Sequence, residues 1–319
     1  MPSPFDFSQL EYIPPQNVSE LLNTITRALG ILSITGCIFN IVVTTCLGKS
    51  KFIIGKMVVL IAVFDILTHT PLVLSTFRLT SNRLNCEVIG SWILYFGYAG
   101  TLFFTTSFAH ALYHSLKNGS IECVEKYFKK YIAISLAAAL MMGSLSLVFR
   151  FRQYIEFENG QSLCVTRHNE GIDWGSLLIL FIPGVINIVG CIFYYIRVIR
   201  LLNSLDQKLH WGPLVYPLIL VICISPAMIR RFFYLIGIEI NNALYAEITR
   251  GLFGAQGLLN SLAYGLSREI YHALRRCCCL PPQKKSEGSI KLLVSGSESH
   301  FGSSQQEDLK TSSKLEEIF

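Results

Sequence analysis

Residues 57–77 read MVVLIAVFDILTHTPLVLSTF, an apolar stretch long enough to cross a membrane as one helix. A helix needs roughly 20 predominantly apolar residues to span the hydrocarbon core. Six further stretches of this kind lie on either side of it, separated by short polar loops. Together they predict seven spans: Thr26–Leu47, Met57–Phe77, Val88–Leu112, Tyr131–Phe149, Trp174–Ile196, Leu214–Ile236 and Tyr245–Leu266. The expected fold class is an all-α membrane protein, a seven-transmembrane helix bundle over residues 26–266.

The amino-acid composition supports a membrane protein. The chain is 51% hydrophobic and 15% charged, whereas a soluble domain is usually about 25% charged. One bundle uses almost all the apolar residues, so a second core is not expected. Residues 1–25 lack a basic start followed by an apolar run, which predicts an extracellular segment without a cleavable signal peptide.

The distribution of Lys and Arg predicts the orientation, because cytoplasmic loops carry an excess of these residues. With the amino terminus outside, the basic residues of the inner loops and juxtamembrane tail are Lys49, Lys51, Lys56, Lys117, Lys126, Lys129, Lys130, Arg197, Arg200, Lys208, Arg268, Arg275, Arg276, Lys284 and Lys285. The outer loops hold only Arg78, Arg83, Arg150, Arg152 and Arg167. We expect a multi-pass plasma-membrane protein whose net charge of +6 reflects topology and not nucleic-acid binding.

Two features of the predicted outer segments agree with this orientation. Asn17 begins an Asn-Val-Ser glycosylation acceptor. Of ten cysteines, Cys86 and Cys164 alone fall on the oxidising face. We expect a disulfide between them, which would tether the outer loop after the fourth span to the third helix. The alternative is two unpaired thiols.

The chain changes character after the last span. Leu266, Ile270 and Leu274 recur at i, i+4 and i+8 with basic residues between them, which predicts a short amphipathic eighth helix at the membrane surface over residues 267–280. Cys277, Cys278 and Cys279 end this segment beside two arginines and are expected palmitoylation sites. A metal site is the alternative, but adjacent cysteines lack the CxxC spacing. Residues 281–319 are predicted to form a disordered cytoplasmic tail.

Three motifs resemble one receptor family. The sixth span carries His210-Trp211, Tyr216-Pro217-Leu218-Ile219-Leu220, Pro226 and Ile229-Arg230-Arg231; the seventh contains the stretch from Gln256 to Gly265; and Arg197-Val198-Ile199-Arg200-Leu201-Leu202 ends the fifth. These motifs resemble the cyclic-AMP-receptor-like seven-helix receptors, the family of the slime-mould chemoattractant receptors and their plant relatives. The chain departs from rhodopsin-type receptors, since it lacks Asp-Arg-Tyr after the third span and Asn-Pro-x-x-Tyr in the seventh. Without a lysine in the seventh span, a retinal Schiff base has no amine to form on.

The resemblance implies a G-protein-coupled receptor, which is neither an enzyme nor dependent on a cofactor. Its extracellular ligand would stabilise one of two bundle packings, and the inner face of that packing would activate a heterotrimeric G protein. Arg197, Arg200 and Lys208 are the expected G-protein contacts, together with the loop from Lys117 to Lys130. The prolines of the sixth span, Pro217 and Pro226, make it the expected moving helix.

Polar residues inside membrane spans are costly and are candidates for function. Asp65 and His69 lie one turn apart on the second span. We expect them to form a polar switch network with Asn260, Ser261 and Tyr264 of the seventh span. The alternative is a local pair between Asp65 and His69 that only stabilises the bundle.

Three arginines mark the predicted outer end of the bundle. Arg230 and Arg231 lie near the end of the sixth span, and Arg250 lies near the start of the seventh. They suit an unknown anionic ligand such as a phosphate-bearing nucleotide, which arginine can bind in bidentate fashion. The alternative is structural pairing with Glu239 and Glu247, or snorkelling to the interface.

Two other functional classes stay open. His110 and His114 of the third span, with Asp65 and His69, have the residue types of an intramembrane zinc-dependent hydrolase. A small transporter is the other alternative, although two matching halves are not evident.

The tail suggests regulation. Its serines and threonines crowd a segment with too few apolar residues to fold. Their phosphorylation by a receptor kinase would add about −1.5 to −2 charges each. We expect such a cluster to recruit an arrestin-like partner or to cover the basic inner face.

Overall fold

Seven long α-helices make up most of the computed structural model, which describes residues 16–49, 52–76, 85–118, 122–149, 152–156, 162–166, 175, 177–204, 211–236, 238 and 243–265. They are α1 (Gln16–Cys46), α2 (Ile53–Thr76), α3 (Leu94–Asn118), α4 (Glu122–Val148), α5 (Ile182–Ser204), α6 (Trp211–Leu235) and α7 (Ala243–Gly265). Two π-helical segments, Asn85–Ile93 and Leu177–Phe181, lead into α3 and α5. The helical fold is confirmed, whereas the predicted eighth helix lies outside the described residues.

Six of the described helices are long and apolar enough to cross a membrane, which indicates a multi-pass membrane protein. Their membrane-length segments are Thr24–Cys46, Ile53–Pro71, Val88–Asn118, Val124–Val148, Leu177–Asn203 and Val215–Phe233. Each overlaps one of the first six predicted spans. The fourth begins before the predicted Tyr131, because α4 continues as a helix through its basic, partly solvent-exposed first turns.

The helix α7 corresponds to the predicted seventh span but is not among these six. Its 23 residues give a length of about 35 Å, which is enough to cross a membrane. It is less apolar because it contains Glu247, Arg250, Gln256 and Asn260. The last two of these are buried within the bundle. A seventh crossing therefore stays a prediction.

Six helices close a ring in the order α1, α2, α3, α5, α6 and α7, and α4 packs against α3. The helix α1 packs between α2 and α7, and α6 packs against α7 on its other side. The helix α3 contacts α2, α4, α5 and α6, so it is the central element. Phe64 of α2 stacks on Phe104 of α3 with ring centroids 5.1 Å apart, inside the largest hydrophobic cluster.

Large apolar side chains also cover the outside of the ring. Exposed examples are Val42 on α1, Ile134 on α4, Ile186 on α5 and Ile222 on α6. A water-soluble protein rarely exposes contiguous apolar surface of this extent. This outer surface is therefore suited to contact with lipid.

A short β-hairpin between α4 and α5 departs from the otherwise helical fold. Strand β1 (Arg152–Glu156) pairs antiparallel with strand β2 (Ser162–Thr166), and Cys164 lies opposite Tyr154. The sequence between the strands contains Asn159-Gly160, a dipeptide typical of hairpin turns. Strand β1 packs against the π-helical segment that carries Cys86. Cys86 is fully buried and disulfide-bonded.

Candidate functional site

Asp65 is the centre of a buried polar contact among three helices. It lies on α2 and is 1% exposed. Its Oδ1 accepts a hydrogen bond from Thr101 Oγ1 of α3 at 2.9 Å, and its Oδ2 accepts one from Asn260 Nδ2 of α7 at 2.9 Å. Asp65 and Asn260 were expected to lie together, whereas Thr101 was not identified from the sequence. We call these three residues the Asp65 triad.

Small residues on α3 allow this contact. A Cβ atom at Gly97 would lie 2.6 Å from the backbone nitrogen of Thr68, and one at Gly100 would overlap the ring of Phe64. The two glycines therefore let the backbones of α2 and α3 approach closely. Thr101 follows the second glycine and is short enough to fit between the helices while its hydroxyl reaches Asp65.

The other predicted members of the network lie elsewhere on α7. Ser261 donates its hydroxyl to the Gly257 carbonyl of its own helix at 2.7 Å. Its side chain faces α1, since a Cβ atom at Gly36 would lie 2.6 Å from Ser261 Oγ. Tyr264 is partly buried and packs against the largest hydrophobic cluster. Among the described hydrogen bonds of the predicted network, only the one to Asn260 reaches Asp65.

A serine of α1 is inserted into the backbone of α7. Ser33 Oγ donates to the Gly254 carbonyl at 2.5 Å and accepts a hydrogen bond from the Leu258 amide at 3.0 Å. An uninterrupted α-helix would pair this carbonyl with this amide directly. A side chain that enters the ladder in this way is a recognised cause of helix bending. The insertion lies less than one turn from Asn260, so α1 influences the position of the Asp65 triad.

His69 lies one turn beyond Asp65 on the same helix and has different surroundings. Its side chain is 1% exposed, yet neither ring nitrogen has a hydrogen-bond partner among the described residues. The expected alternative of an Asp65–His69 pair is therefore not formed. The His69 ring meets the edge of Phe253 at a centroid distance of 5.9 Å.

Phe253 joins His69 to a second buried polar side chain. The rings of Tyr98 and Phe253 lie 5.7 Å apart, and the Tyr98 hydroxyl also lacks a hydrogen-bond partner within the described part of the chain. Buried polar atoms without partners are rare in folded proteins. We call His69, Tyr98 and Phe253 the His69 cluster. Sequence reasoning missed Tyr98 and Phe253, because a single aromatic residue in an apolar helix carries no distinguishing signal.

The three predicted ligand arginines differ in their surroundings. Arg230 and Arg250 are exposed. Arg231 is partly buried, and its charge acts on the Tyr98 hydroxyl of the His69 cluster. Nearby, Tyr245 Oη of α7 donates to the Pro226 carbonyl of α6 at 2.7 Å. The side chains of Glu239 and Glu247, the predicted pairing partners, lie outside the described set.

At the opposite end of the bundle, Arg197 and Arg200 are both exposed on α5. The Arg197 guanidinium lies over the rings of Phe193, at 4.6 Å, and Tyr113, at 5.7 Å. It also donates to Tyr113 Oη at 3.4 Å. The Arg197 side chain therefore extends across to α3 and contacts Tyr113 there. Lys208 lies outside the described residues.

The residues of the proposed zinc hydrolase do not come together. His110 and His114 have ring centroids 4.3 Å apart, but His110 Nδ1 is hydrogen-bonded to Tyr131 Oη at 2.6 Å. Asp65 is bonded to Thr101 and Asn260 instead. Within the described ranges, no group of three or more His, Cys, Asp or Glu side chains could hold a metal ion. This geometry argues against the hydrolase alternative.

Other predicted sites cannot be located as side chains. Asn17 lies in the first turn of α1, where only the backbone is described. Cys277, Cys278, Cys279 and the tail lie outside the described residues. No protein-family model matches the chain, and no curated protein matches it significantly. The resemblance to cyclic-AMP-receptor-like receptors therefore stays a prediction from the motifs.

Proposed function

We propose that this chain is a G-protein-coupled receptor of the cyclic-AMP-receptor-like class, with seven spans and an outer amino terminus. The observation that carries the proposal is the Asp65 triad. A carboxyl group inside a membrane helix is costly and is usually retained for function. In this chain it links α2, α3 and α7, so any rearrangement among these helices must change its hydrogen bonds.

The His69 cluster is the proposed inner limit of the ligand site. Its unpartnered His69 nitrogens and Tyr98 hydroxyl can hydrogen-bond to a ligand, and Phe253 offers a flat apolar surface. Arg231, whose charge acts at Tyr98, makes this region more positive, which favours a ligand with an anionic group. The more exposed Arg230 and Arg250 would contact the ligand at the entrance.

One helical turn connects this site to the Asp65 triad. A ligand that draws His69 and Tyr98 together would shift α2 against α3, and Thr101 would then move relative to Asp65. A ligand changes an equilibrium only through different affinities for the two states. We propose that the two states differ in these hydrogen bonds.

The helix α6 is the proposed moving element. Pro217 and Pro226 each lack the backbone amide that would close a helical hydrogen bond. The Tyr245 hydroxyl holds α6 to α7 at the Pro226 carbonyl. Displacement at the other end of α6 would open the inner face to a G protein, with Arg197, Arg200 and Lys208 as the proposed contacts.

The outer disulfide is proposed to join Cys86 to Cys164. Cys86 is disulfide-bonded, and β1 packs against the segment that carries it. The backbone of Cys164 lies in β2, the partner strand of β1. This arrangement supports a bridge that would hold the hairpin over the outer ends of α3 and α4.

The tail and its attachments complete the proposal. Palmitoylated Cys277, Cys278 and Cys279 would hold an amphipathic helix on inner-leaflet lipid, and phosphorylation of the tail by a receptor kinase would recruit an arrestin-like protein. Glycosylation at Asn17 would mark the outer segment. These parts rest on the sequence alone.

The experiment uses the full chain in lipid vesicles with purified heterotrimeric G proteins of several classes. A ligand panel that includes cyclic nucleotides is scored by nucleotide exchange on the G protein. We expect a ligand from the panel to accelerate exchange. The variants Tyr98→Phe and His69→Phe should lower its potency by about tenfold, the loss expected for one hydrogen bond of about 1.4 kcal/mol.

Thermal unfolding of the same variants serves as the control. Because neither polar group bonds to another described residue, their removal should leave the stability nearly unchanged. If a variant that combines Tyr98→Phe with His69→Phe responds to the ligand at full potency, the ligand binds elsewhere in the bundle. Failure of every G-protein class to respond, in the presence of a ligand that binds directly, would contradict receptor function.

A further inference from the structure

A row of partly buried aromatic and imidazole rings joins α3, α4 and α5. His110 of α3 is at its centre: its Nδ1 lies 2.6 Å from Tyr131 Oη of α4, and its ring meets the edge of Tyr194 of α5 at 4.9 Å. The ring of His114 is tilted by 39° against that of His110 at a centroid distance of 4.3 Å, and the ring of Tyr113 lies 5.4 Å from that of His114. We call these five residues the imidazole cleft.

A cation stacked on an aromatic ring lies at each end of the imidazole cleft. On α4, Lys130 Nζ lies 5.4 Å from the ring centre of Tyr127, which in turn contacts Tyr131. On α5, Arg197 lies over Phe193 and Tyr113. The row is therefore continuous from one cation to the other. Its polar groups are hydroxyls, imidazole nitrogens and positive charges.

The cleft lies close to one end of the bundle, with Tyr131 buried at its base and the other four side chains partly exposed. His114 is four residues from the end of α3, or about 6 Å along the axis. Tyr127 and Phe193, at its two edges, are 46% and 47% exposed. Ile134 of α4, one turn from Lys130, and Ile196 of α5, directly before Arg197, are also exposed and apolar. Polar groups and lipid-facing apolar surface thus meet at this end.

The surrounding surface carries more basic than acidic residues. Lys126 and Lys129 of α4 and Arg200 of α5 are exposed beside the cleft. The adjoining first turn of α4 contains two acidic residues, Glu122 and Glu125. Basic pockets between membrane helices at the cytoplasmic side suit anionic lipid headgroups. Tyrosine hydroxyls and imidazole N–H groups can donate to phosphate oxygens.

We propose that the imidazole cleft binds the headgroup of an anionic phospholipid. The lipid phosphate accepts hydrogen bonds from the tyrosine and histidine side chains, and its charge lies between Lys130 and Arg197. The acyl chains lie along the exposed apolar side chains of α4 and α5, which a free phosphate would leave uncovered. Assignment of the lipid to the inner leaflet rests on the proposed orientation of the receptor. The preference for an anionic lipid rests instead on the positive charges and hydrogen-bond donors of the cleft.

The test measures lipid retained by the purified full chain. Protein is equilibrated with mixed micelles of phosphatidylcholine and phosphatidylserine, and bound lipid is identified by native mass spectrometry. We expect retained phosphatidylserine in preference to phosphatidylcholine. Arg197→Gln, Lys130→Gln and Tyr131→Phe should each weaken this retention by about tenfold, the effect of one charge-assisted hydrogen bond.

Lys56→Gln is the matched control. Lys56 of α2 also lies over an aromatic ring, that of Phe128 of α4 at 5.7 Å, but outside the cleft. It should retain phosphatidylserine like the unmodified chain. Equal loss in Lys56→Gln would mean that retention reflects general charge and would overturn the site. Equal retention of phosphatidylserine and phosphatidylcholine would also overturn the site. Retention that is unchanged in Arg197→Gln, Lys130→Gln and Tyr131→Phe would do the same.

Two further measurements keep other occupants distinguishable. Tyr131→Phe retains the ring and removes only the hydroxyl, and its thermal unfolding reports whether the bundle still folds. Lipid loss with unchanged unfolding supports the proposal; lipid loss that only accompanies unfolding overturns it. Retention that requires added zinc, or that inorganic phosphate displaces as effectively as phosphatidylserine does, also overturns it.

Discussion

The helices α4 and α7 have similar lengths, 27 and 23 residues, but contrasting environments. The helix α4 packs mainly against α3 and exposes Ile134 and Met141 on its outer side. The helix α7 packs between α1 and α6 and also touches α2. Its polar residues Gln256 and Asn260 are buried. A helix that faces lipid must be apolar, whereas one enclosed by other helices can carry the polar contacts.

The contact between α1 and α7 explains how polar residues fit there. A Cβ atom at Gly257 would lie 2.8 Å from Cys37 Sγ and 3.2 Å from the Ser33 carbonyl oxygen. Small residues at helix contacts let backbones approach, and polar side chains can then bond across the interface. We call this contact between α1 and α7 the seam. Within it, the Ser33 hydroxyl bonds to the backbone carbonyl and amide groups of α7.

Among the buried polar contacts of α7, loss of the Asp65 carboxylate should have the largest effect on stability. In Asp65→Ala, the Asn260 amide and the Thr101 hydroxyl both lose their acceptor, which we expect to cost about 3 kcal/mol of unfolding free energy. Unfolding of the purified protein in detergent measures it. Asp65→Asn retains the shape and one acceptor and should lose less. Equal stability of Asp65→Ala and the unmodified chain would contradict a structural link between α2 and α7.

A matched pair of glycines tests the closeness of α1 and α7. Gly257→Ala adds a Cβ atom within 2.8 Å of Cys37 Sγ, whereas the atoms nearest to a Cβ at Gly254 lie 3.8 Å away. Both changes improve helix propensity equally, so the difference reports overpacking. We expect Gly257→Ala to be about 2 kcal/mol less stable than Gly254→Ala. Equal thermal stability would mean that the helices pack less closely than described.

The serine insertion should have the smallest effect in the seam. Ser33→Ala removes one hydroxyl, and the freed Gly254 carbonyl and Leu258 amide can bond to each other, so the expected cost is about 1 kcal/mol. Ile134→Ala, on the exposed face of α4, is the comparison and should change unfolding by less than about 0.5 kcal/mol. If Ile134→Ala loses more unfolding free energy than Ser33→Ala, the account that α4 faces lipid while α7 is enclosed by other helices would be contradicted.

The sequence predicts the position of the helices because lipid-facing helices need continuous apolar runs. It also predicts that Asp65 and Asn260 lie together, since polar residues inside a membrane bundle turn inward. It does not predict Thr101 or Ser33. Their hydroxyls fit lipid-facing and bundle-facing positions alike, and their contacts depend on the rotation and separation of the helices.

The same limit applies to the site residues outside the seam. Tyr98 and Phe253 gain their significance only from their distances to His69, which no linear pattern encodes. The Arg197 guanidinium lies over Tyr113 of α3 and Phe193 of α5. The contact with Tyr113 joins residues far apart in sequence, so no local pattern predicts it. The hairpin between α4 and α5 was signalled by Asn159-Gly160 between two short alternating segments, which the dominant helical pattern obscured.

The most direct test of this account is the number of times the chain crosses the membrane. Separate epitope tags at the amino and carboxyl ends can be probed in intact and permeabilised cells. If α7 is a seventh span held by α1 and α2, the two tags lie on opposite faces, with the amino-terminal tag outside. Both tags on the same face would mean that α7 does not cross, and would contradict the seven-span receptor.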